Sequence, residues 1–342
     1  MSKPTAKVIA HSISSVTGQE LITFELEFWR GVLAEFNTHN ALSKNTSSSR
    51  AIPVPSMNEN ILADIGMPYR FGKQNTGMQD LGEHDAPVIV GGIEMSAKEA
   101  WTAAVKTMVM FSEAFHEAKY AKQICNRLTE IGQTCKVVMT ATDLDNFYWL
   151  RDHYMADPTI EALAKAIKAA HEASTPTELD PGEWHVPYYN DGIWKPYKTL
   201  EIHPVTVVDV FGHSLEHALT ISASCCAQVS FRSLNDTIEK ARKVVEKLNL
   251  NGEEPGQPVH ASPVEHQGSP IAKHEHYVQQ TSISDNEPFC ININDPQHPE
   301  TWQKGITHVT RNGVFGSGNL KGFIQCRQLI PGNTYTGGAK NE

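Results

Sequence analysis

From Glu20 to Phe28 the side chains alternate, with apolar Phe24, Leu26 and Phe28 separated by charged Glu25 and Glu27. A period of two sends successive side chains to opposite faces, so this stretch predicts a strand in a sheet that buries one face. Lys7–Ser14 predicts a second strand before it. Trp29–Phe36 reads as a short helix. Ser96-Ala97-Lys98-Glu99 is a capping box that opens a long helix with Trp101, Val105, Met108 and Phe115 near one face. Lys119–Leu128 either extends that helix or starts another, Lys136–Thr140 reads as a strand, and Asp143–Asp152 as a helix. Asp157-Pro158 supplies a cap and a first-turn proline for a helix through His171, with Ile160, Leu163 and Ile167 inward. Thr206–Thr220 fits a strand followed by a helix, Asp236–Leu250 an amphipathic helix, and Gly322–Leu329 a last strand. Residues 53–95, 181–192 and 251–320 are turn-rich, and the tail after Pro331 reads as frayed. The fold class expected from this order is α+β: a mixed β-sheet flanked by helices, with long irregular insertions.

The chain has 342 residues, of which 40% are hydrophobic and 20% charged, the balance of an ordinary folded protein. Its net charge is -10, and no Lys or Arg run offers a nucleic-acid stripe. The N-terminus lacks the apolar core of a signal peptide, and no apolar run approaches the length of a membrane span. The expectation is a soluble, cytoplasmic protein that engages neither nucleic acid nor membrane. None of the six cysteines (Cys125, Cys135, Cys225, Cys226, Cys290 and Cys326) forms C-x-x-C, so they are read as small buried hydrophobes. Neither G-x-G-x-x-G, nor a Walker A pattern, nor G-x-S-x-G occurs, so no Rossmann site is expected to hold a dinucleotide. His213 and His217 have helical metal-pair spacing but no evident third ligand. His260–Gln267 lacks a defensible zinc spacing and carries Pro263. No metal site is expected.

The stretch "HNALSKNTSSSRAIP", His39 to Pro53, has no apolar period and reads as a loop. Such a loop is either a solvated connection or a cradle for a polar ligand. The hydroxyls and backbone N–H groups of Ser47, Ser48 and Ser49, with the Arg50 guanidinium, suit a phosphate; Asn45 suits a base or sugar edge. In "TATDLDNFYWLR", Thr140 to Arg151, Leu144, Phe147 and Leu150 are expected on the packed side. Arg151 stands at the helix C-terminus, where a cation is favoured whether or not it has a ligand.

Together these stretches resemble the flavin-dependent thymidylate synthases. That family carries R-H-R-x-x-S-x-N-E-x-S-x-R; here Thr38–Arg50 matches it at His39, Ser43, Asn45, Ser48 and Arg50 and departs at Thr38, Asn40 and Thr46. The family's N-A-R-S-L-x-N-F-x-x-L-R is similar to Thr140–Arg151, which keeps Ala141, Leu144, Asn146, Phe147, Leu150 and Arg151 and has Thr140 and Thr142 in place of Asn and Arg. A-R-V-S-F resembles "AQVSF" (Ala227–Phe231), and H-x-[ST]-P-F-E-H resembles His260–His266. In the family the last two segments precede the signature, whereas here they follow it, the order of a circularly permuted or divergent member.

The resemblance implies one domain over 1–342: strands and the phosphate-binding signature loop in 1–52, a helical part in 96–173, a permuted segment in 220–330 and a flexible tail in 331–342. It implies FAD and dUMP bound at subunit interfaces of a homotetramer, a one-carbon unit from methylenetetrahydrofolate, reduction of the flavin by NADPH, and dTMP as product without an enzyme nucleophile. Carried over by position, Ser48 and Arg50 would hold the dUMP phosphate beside Ser47, Ser49 and Asn45. Arg151 would stabilise negative charge on the uracil. His39, Ser43, Asn146, His260 and Ser262 would line the flavin. Losing both arginines of R-H-R, and the carboxylate at Thr46, removes charge from that site; Lys44 either restores one positive charge or stands in solvent. The altered signature also fits a pyrimidine nucleotide hydroxymethylase, or a nucleotide-binding assembly protein without flavin.

Overall fold

The alternation at Glu20–Phe28 is realised in a five-stranded mixed sheet. Its strands are β1 (Thr5–Ser14), β2 (Glu20–Trp29), β3 (Ser43–Thr46), β4 (Thr134–Ala141) and β5 (Thr177–Leu179), in the spatial order β3-β4-β2-β1-β5. All neighbours are antiparallel except β1 and β5, which run parallel. The computed structural model describes residues 3–77, 79–200, 205–230, 234–254, 256–272, 276–278, 290–292 and 294–334. Phe231 of the "AQVSF" segment and most of the expected flexible tail lie outside them.

Register explains the core. Ile22, Phe24, Leu26 and Phe28 of β2 stand opposite Ala141, Met139, Val137 and Cys135 of β4, so one face of the pair is wholly apolar. Three helices cover it: α1 (Leu33–Asn37), α5 (Asp145–Arg151) and α6 (Pro158–Glu172). Ile160, Leu163 and Ile167 of α6 are buried against the sheet with Phe36 and Phe147, and each such side chain contributes about 1.5–3 kcal/mol. The Asp157 carboxylate caps α6 by accepting from Thr159 N and Ile160 N.

The opposite face is covered too, although Glu25 and Glu27 suggested a solvated one. A four-stranded sheet of β6 (Trp184–His185), β7 (Ile193–Trp194), β8 (Gly268–Pro270) and β9 (Phe323–Gln325), ordered β9-β8-β6-β7, supplies part of the cover. Between the sheets runs a buried polar chain. Ser12 Oγ lies 2.9 Å from His185 Nδ1, His185 Nε2 lies 2.8 Å from Thr23 Oγ1, Thr23 and Thr140 hydroxyls are 2.7 Å apart, and Thr140 Oγ1 is 2.8 Å from His266 Nδ1. Burial drives both imidazoles down to about 3, with His11 and His266 adding to the effect at His185, so both are neutral near pH 7.

Some expectations change and one open alternative is settled. The last strand, expected over Gly322–Leu329, covers only Phe323–Gln325 before a helical turn at Cys326–Leu329. Ser43–Thr46, read as loop, is the edge strand β3: backbone pairing to the buried β4 holds it, so polar side chains suffice. Val54–Ala63, read as irregular, is helix α2, started by Pro53 and Pro55 and packed through Met57 and Ile61 on Val105 and Val109 of α3 (Ala97–Glu117). Lys119, at φ 68°, ends that run, so α4 (Lys122–Arg127) is a separate helix. The capping box is present, with Ser96 Oγ accepting from Glu99 N at 3.3 Å and Glu99 Oε2 accepting from Ser96 N at 2.9 Å. The remaining helices, α7 (Leu215–Ala227) and α8 (Ile238–Lys247), pack together with the aromatic Trp184–Trp194 stretch. In that stretch Gly192 (φ 88°) lies so close to Ala10 that any Cβ would strike it. Cys125, Cys135, Cys225, Cys226 and Cys326 are free and buried.

Candidate functional site

The polar signature folds into two cavities. The first, about 310 Å³, is lined by Ser47, Ser48 and Ser49 together with Arg30, Lys136, Glu27, Asp64 and Val229. Arg30 arrives from the turn after β2, and its Nη1 donates to Ser47 O at 3.3 Å while Nη2 reaches Glu130 Oε1 at 3.3 Å. Lys136 stands on β4 directly opposite Glu27 of β2, and its backbone N donates to Ser47 Oγ at 3.1 Å. Asn126 Nδ2 donates to Ser49 O at 2.8 Å and Ile52 O at 2.9 Å, fixing the loop after the serines. One end of this cavity's chemistry is therefore cationic and hydroxyl-rich, and its carboxylates are acceptors for sugar hydroxyl or base N–H groups. Arg50 is exposed and lies just beyond the lining serines; its backbone N donates to Ser48 Oγ at 3.2 Å.

The second cavity, about 220 Å³, gathers Thr38, His39, Asn146, Phe147, Leu150, Arg151 and Asp143. Arg151 Nε donates to His39 Nε2 at 2.9 Å, and Nη2 approaches Thr38 Oγ1 at 3.5 Å. Burial, then the Arg151 guanidinium, then Lys44 hold the His39 imidazole down at about 4, so it stays a neutral acceptor for Arg151. The His39 ring also meets the edge of Phe147 at 5.0 Å. Lys44 does not face this cavity as a free charge: its Nζ donates to the carbonyls of Phe36, Asn37 and His39, at 2.7 Å for the last. It closes the C-terminus of α1, where a cation is favoured. Leu150, expected on the packed side, is exposed. Trp149 and Tyr154, its near neighbours in sequence, are exposed as well, at 75% and 74%.

The other expected residues, Ser43, Asn45, Ser262 and His260, line neither cavity. Ser43 is fully buried, within 3.3 Å of Gln325 Nε2 and 3.5 Å of Asn319 Nδ2. Asn45 Nδ2 donates to Cys226 O at 2.5 Å, and Ser262 Oγ donates to Asn45 Oδ1 at 3.3 Å. His260 is exposed, its backbone N bonded to Leu248 O. His213 and His217 stack with ring centroids 4.0 Å apart, and Tyr189 Oη lies 2.9 Å from His213 Nδ1.

Four segments far apart in sequence thus meet. The serine loop and Val229 share a cavity, Asn45 touches Ser262 and Cys226, and Thr140 touches His266. Arg30, Lys136 and Glu27 were not singled out in the sequence. A lysine within a strand otherwise buried, opposite a glutamate of its neighbour, was the available signal.

No protein-family model matches the chain, and no curated protein sequence does. Among solved structures, the flavin-dependent thymidylate synthase ThyX from Helicobacter pylori, complexed with FAD and dUMP, aligns with 44% of this chain and 67% of its own. The identity is 18% and the TM-score 0.29. A UMP/dUMP methylase, PolB from Streptomyces cacaoi, bound with 5-Br dUMP, aligns with 50% of this chain and 90% of its own, at 11% identity and a TM-score of 0.35.

Proposed function

We propose that the chain is a flavin-dependent enzyme that methylates dUMP to dTMP with methylenetetrahydrofolate as one-carbon donor and NADPH as reductant. The observation that carries this reading is the first cavity, where Ser47–Ser49 of the signature and Val229 of the "AQVSF" segment come together with Arg30 and Lys136. Its volume is at the small end of ligand sites, and its donors suit a nucleoside monophosphate: phosphate on the serines, Arg30 and Lys136, with Glu27 and Asp64 accepting from sugar or base.

Arg151, which lines the second cavity and not the first, is assigned to the uracil of a nucleotide whose phosphate a second copy of the chain holds. Its Nε is committed to a neutral His39, which fixes the guanidinium plane, and the planar fork then meets a ring oxygen without reorganising as charge develops. His39, Asn146 and Phe147 fit a portion of FAD by chemistry, with an aromatic face, an amide and an imidazole, but a cavity of about 220 Å³ encloses only part of a dinucleotide. FAD, when bound, supplies the reducing equivalents. Ser43, Ser262 and His260 are assigned supporting places around it; Asn45, held by Cys226 and Ser262, positions the serine loop, and Arg50 extends its cationic rim.

The rest of the ligand surface is assigned to a second copy of the chain, seated on the exposed side chains of Trp149, Leu150 and Tyr154, which flank Arg151 in sequence. Trp149→Glu is expected to convert the homo-oligomer to a smaller species in light scattering and to lower FAD affinity at least about tenfold, since a charge in an apolar interface costs more than 1.4 kcal/mol. An unchanged mass would dissociate these side chains from assembly.

The test of the function is the visible spectrum of purified protein before and after FAD and then dUMP. The expected result is an oxidised-flavin band that shifts when dUMP is added, followed by a methylated product by mass spectrometry. A hydroxymethyl mass would reassign the product. Calorimetric dUMP binding with no flavin uptake would reassign the protein as a nucleotide binder.

A further inference from the structure

A second cluster, whose three residues line neither cavity, closes the far end of the main sheet. His11 comes from β1, Glu20 begins β2, and His171 lies in the last turn of α6. Glu20 Oε2 is 2.9 Å from His171 Nε2 and 3.6 Å from His11 Nε2, and one donor atom from each residue lies within 4.8 Å of the others. The His11 side chain is only 4% exposed, yet its Nε2 is buried without a hydrogen-bond partner. Its long approach to Glu20 leaves this buried nitrogen poorly satisfied, which costs free energy unless something else completes it.

Both rings are also oriented from behind. His11 Nδ1 lies 3.0 Å from Ser174 Oγ, and His171 Nδ1 lies 3.3 Å from Tyr148 Oη. With the hydroxyls accepting from Nδ1–H, each ring turns its Nε2 lone pair to a cation; without one, His171 Nε2–H donates to Glu20 instead, and in either case the two Nε2 atoms converge on the same carboxylate oxygen.

We propose that His11, Glu20 and His171 bind one divalent transition-metal cation of the zinc class. Two imidazole nitrogens and one carboxylate are a recurrent three-ligand set for zinc, and donors about 2.1 Å from a tetrahedral metal stand about 3.4 Å apart, close to the spacings seen here. Glu20 is 39% exposed and borders a cavity of about 260 Å³ also lined by Gln19, Thr142, Asp143 and Asp145, so the fourth position opens toward solvent and further oxygen groups. The cation would tie β1, β2 and α6 together, and it belongs to neither the nucleotide nor the flavin chemistry proposed above.

The experiment is titration of chelator-treated full-length protein with Co(II) alone, read by d–d absorption, and with Zn(II) alone, read by calorimetry. One equivalent is expected to bind with a tetrahedral Co(II) spectrum. His171→Ala and Glu20→Gln are expected to weaken binding at least about 100-fold, and Tyr148→Phe and Ser174→Ala about tenfold, as for groups that orient a ligand. His213→Ala, in the stacked pair, should leave it unchanged. Glu20→Gln, at a half-exposed position, keeps the test open if a histidine variant fails to fold. Absent Co(II) bands in the wild type, or equal binding by wild type, His171→Ala and Glu20→Gln, would overturn the proposal and leave the cluster an ion-paired sheet end.

Discussion

Acidification from about pH 7.5 to about pH 5 is expected to remove about 4 kcal/mol of folding stability through His185 and His266 alone. Both imidazoles are completely buried, and both are held at about 3, well below the 6.5 of an unfolded chain. Between those values the unfolded state binds protons that the folded state refuses, so stability rises with pH through this window. The contribution is fully present above about 6.5 and is lost as pH falls toward 3. For each residue the loss at pH 5 is about 2 kcal/mol. Burial also lowers His11 and His39, which act in the same direction. Glu265, whose carboxyl burial pushes upward, acts in the opposite one. Single variants isolate the effect. In urea melts at the two pH values, His185→Gln and His266→Gln should each shrink the difference by about 2 kcal/mol, whatever they cost at neutral pH. A wild-type curve flat across this range, with variants parallel to it, would show that water or a partner reaches the two rings.

What the sequence made legible was the part governed by local period. The alternation in Phe24–Phe28 located β2, and the register with Val137 and Met139 then followed from burying one apolar face. The capping box at Ser96 and the Asp157-Pro158 start were equally local and are realised. Less legible was everything decided at a distance. Ser43–Thr46 has no strand pattern of its own and becomes a strand because β4 offers it a paired edge. Glu25 and Glu27 read as a solvated face, yet Tyr188 Oη donates to Glu25 at 3.0 Å, because a second sheet built from residues far along the chain covers that side. The same limit applied to the site. Ser47–Ser49 announced themselves by composition, while Arg30 and Lys136 are single cations among 29, distinguished only by the turn and strand that carry them into the cavity. His11, Glu20 and His171 have no common motif, since their meeting depends on β1, β2 and α6 ending at one place.

That placement of Arg30 leads to the second large effect. Arg30→Ala is expected to weaken dUMP binding about 10- to 100-fold, the equivalent of one charge-assisted phosphate contact of about 1.5–3 kcal/mol, and to leave deoxyuridine binding nearly unchanged. The nucleoside comparison matters because Arg30 also donates to Ser47 O and pairs with Glu130, so its loss could simply loosen the serine loop. A loosened loop would penalise nucleoside and nucleotide alike, whereas a lost phosphate contact penalises the nucleotide alone. Glu130→Gln removes the partner without removing the guanidinium and should leave dUMP affinity within about threefold, as expected for a surface pair worth under 1 kcal/mol. Arg50→Ala provides the opposing test. The family resemblance gives the phosphate to Arg50, yet in a single chain this residue is exposed outside the cavity that Ser47–Ser49 line. If Arg50→Ala is the more damaging variant for dUMP and Arg30→Ala is silent, the phosphate sits at the outer rim, where a second copy would complete the site. If Arg30→Ala is the more damaging, one chain holds the phosphate by itself, and the cation that the family resemblance places at Arg50 is supplied instead from the turn after β2.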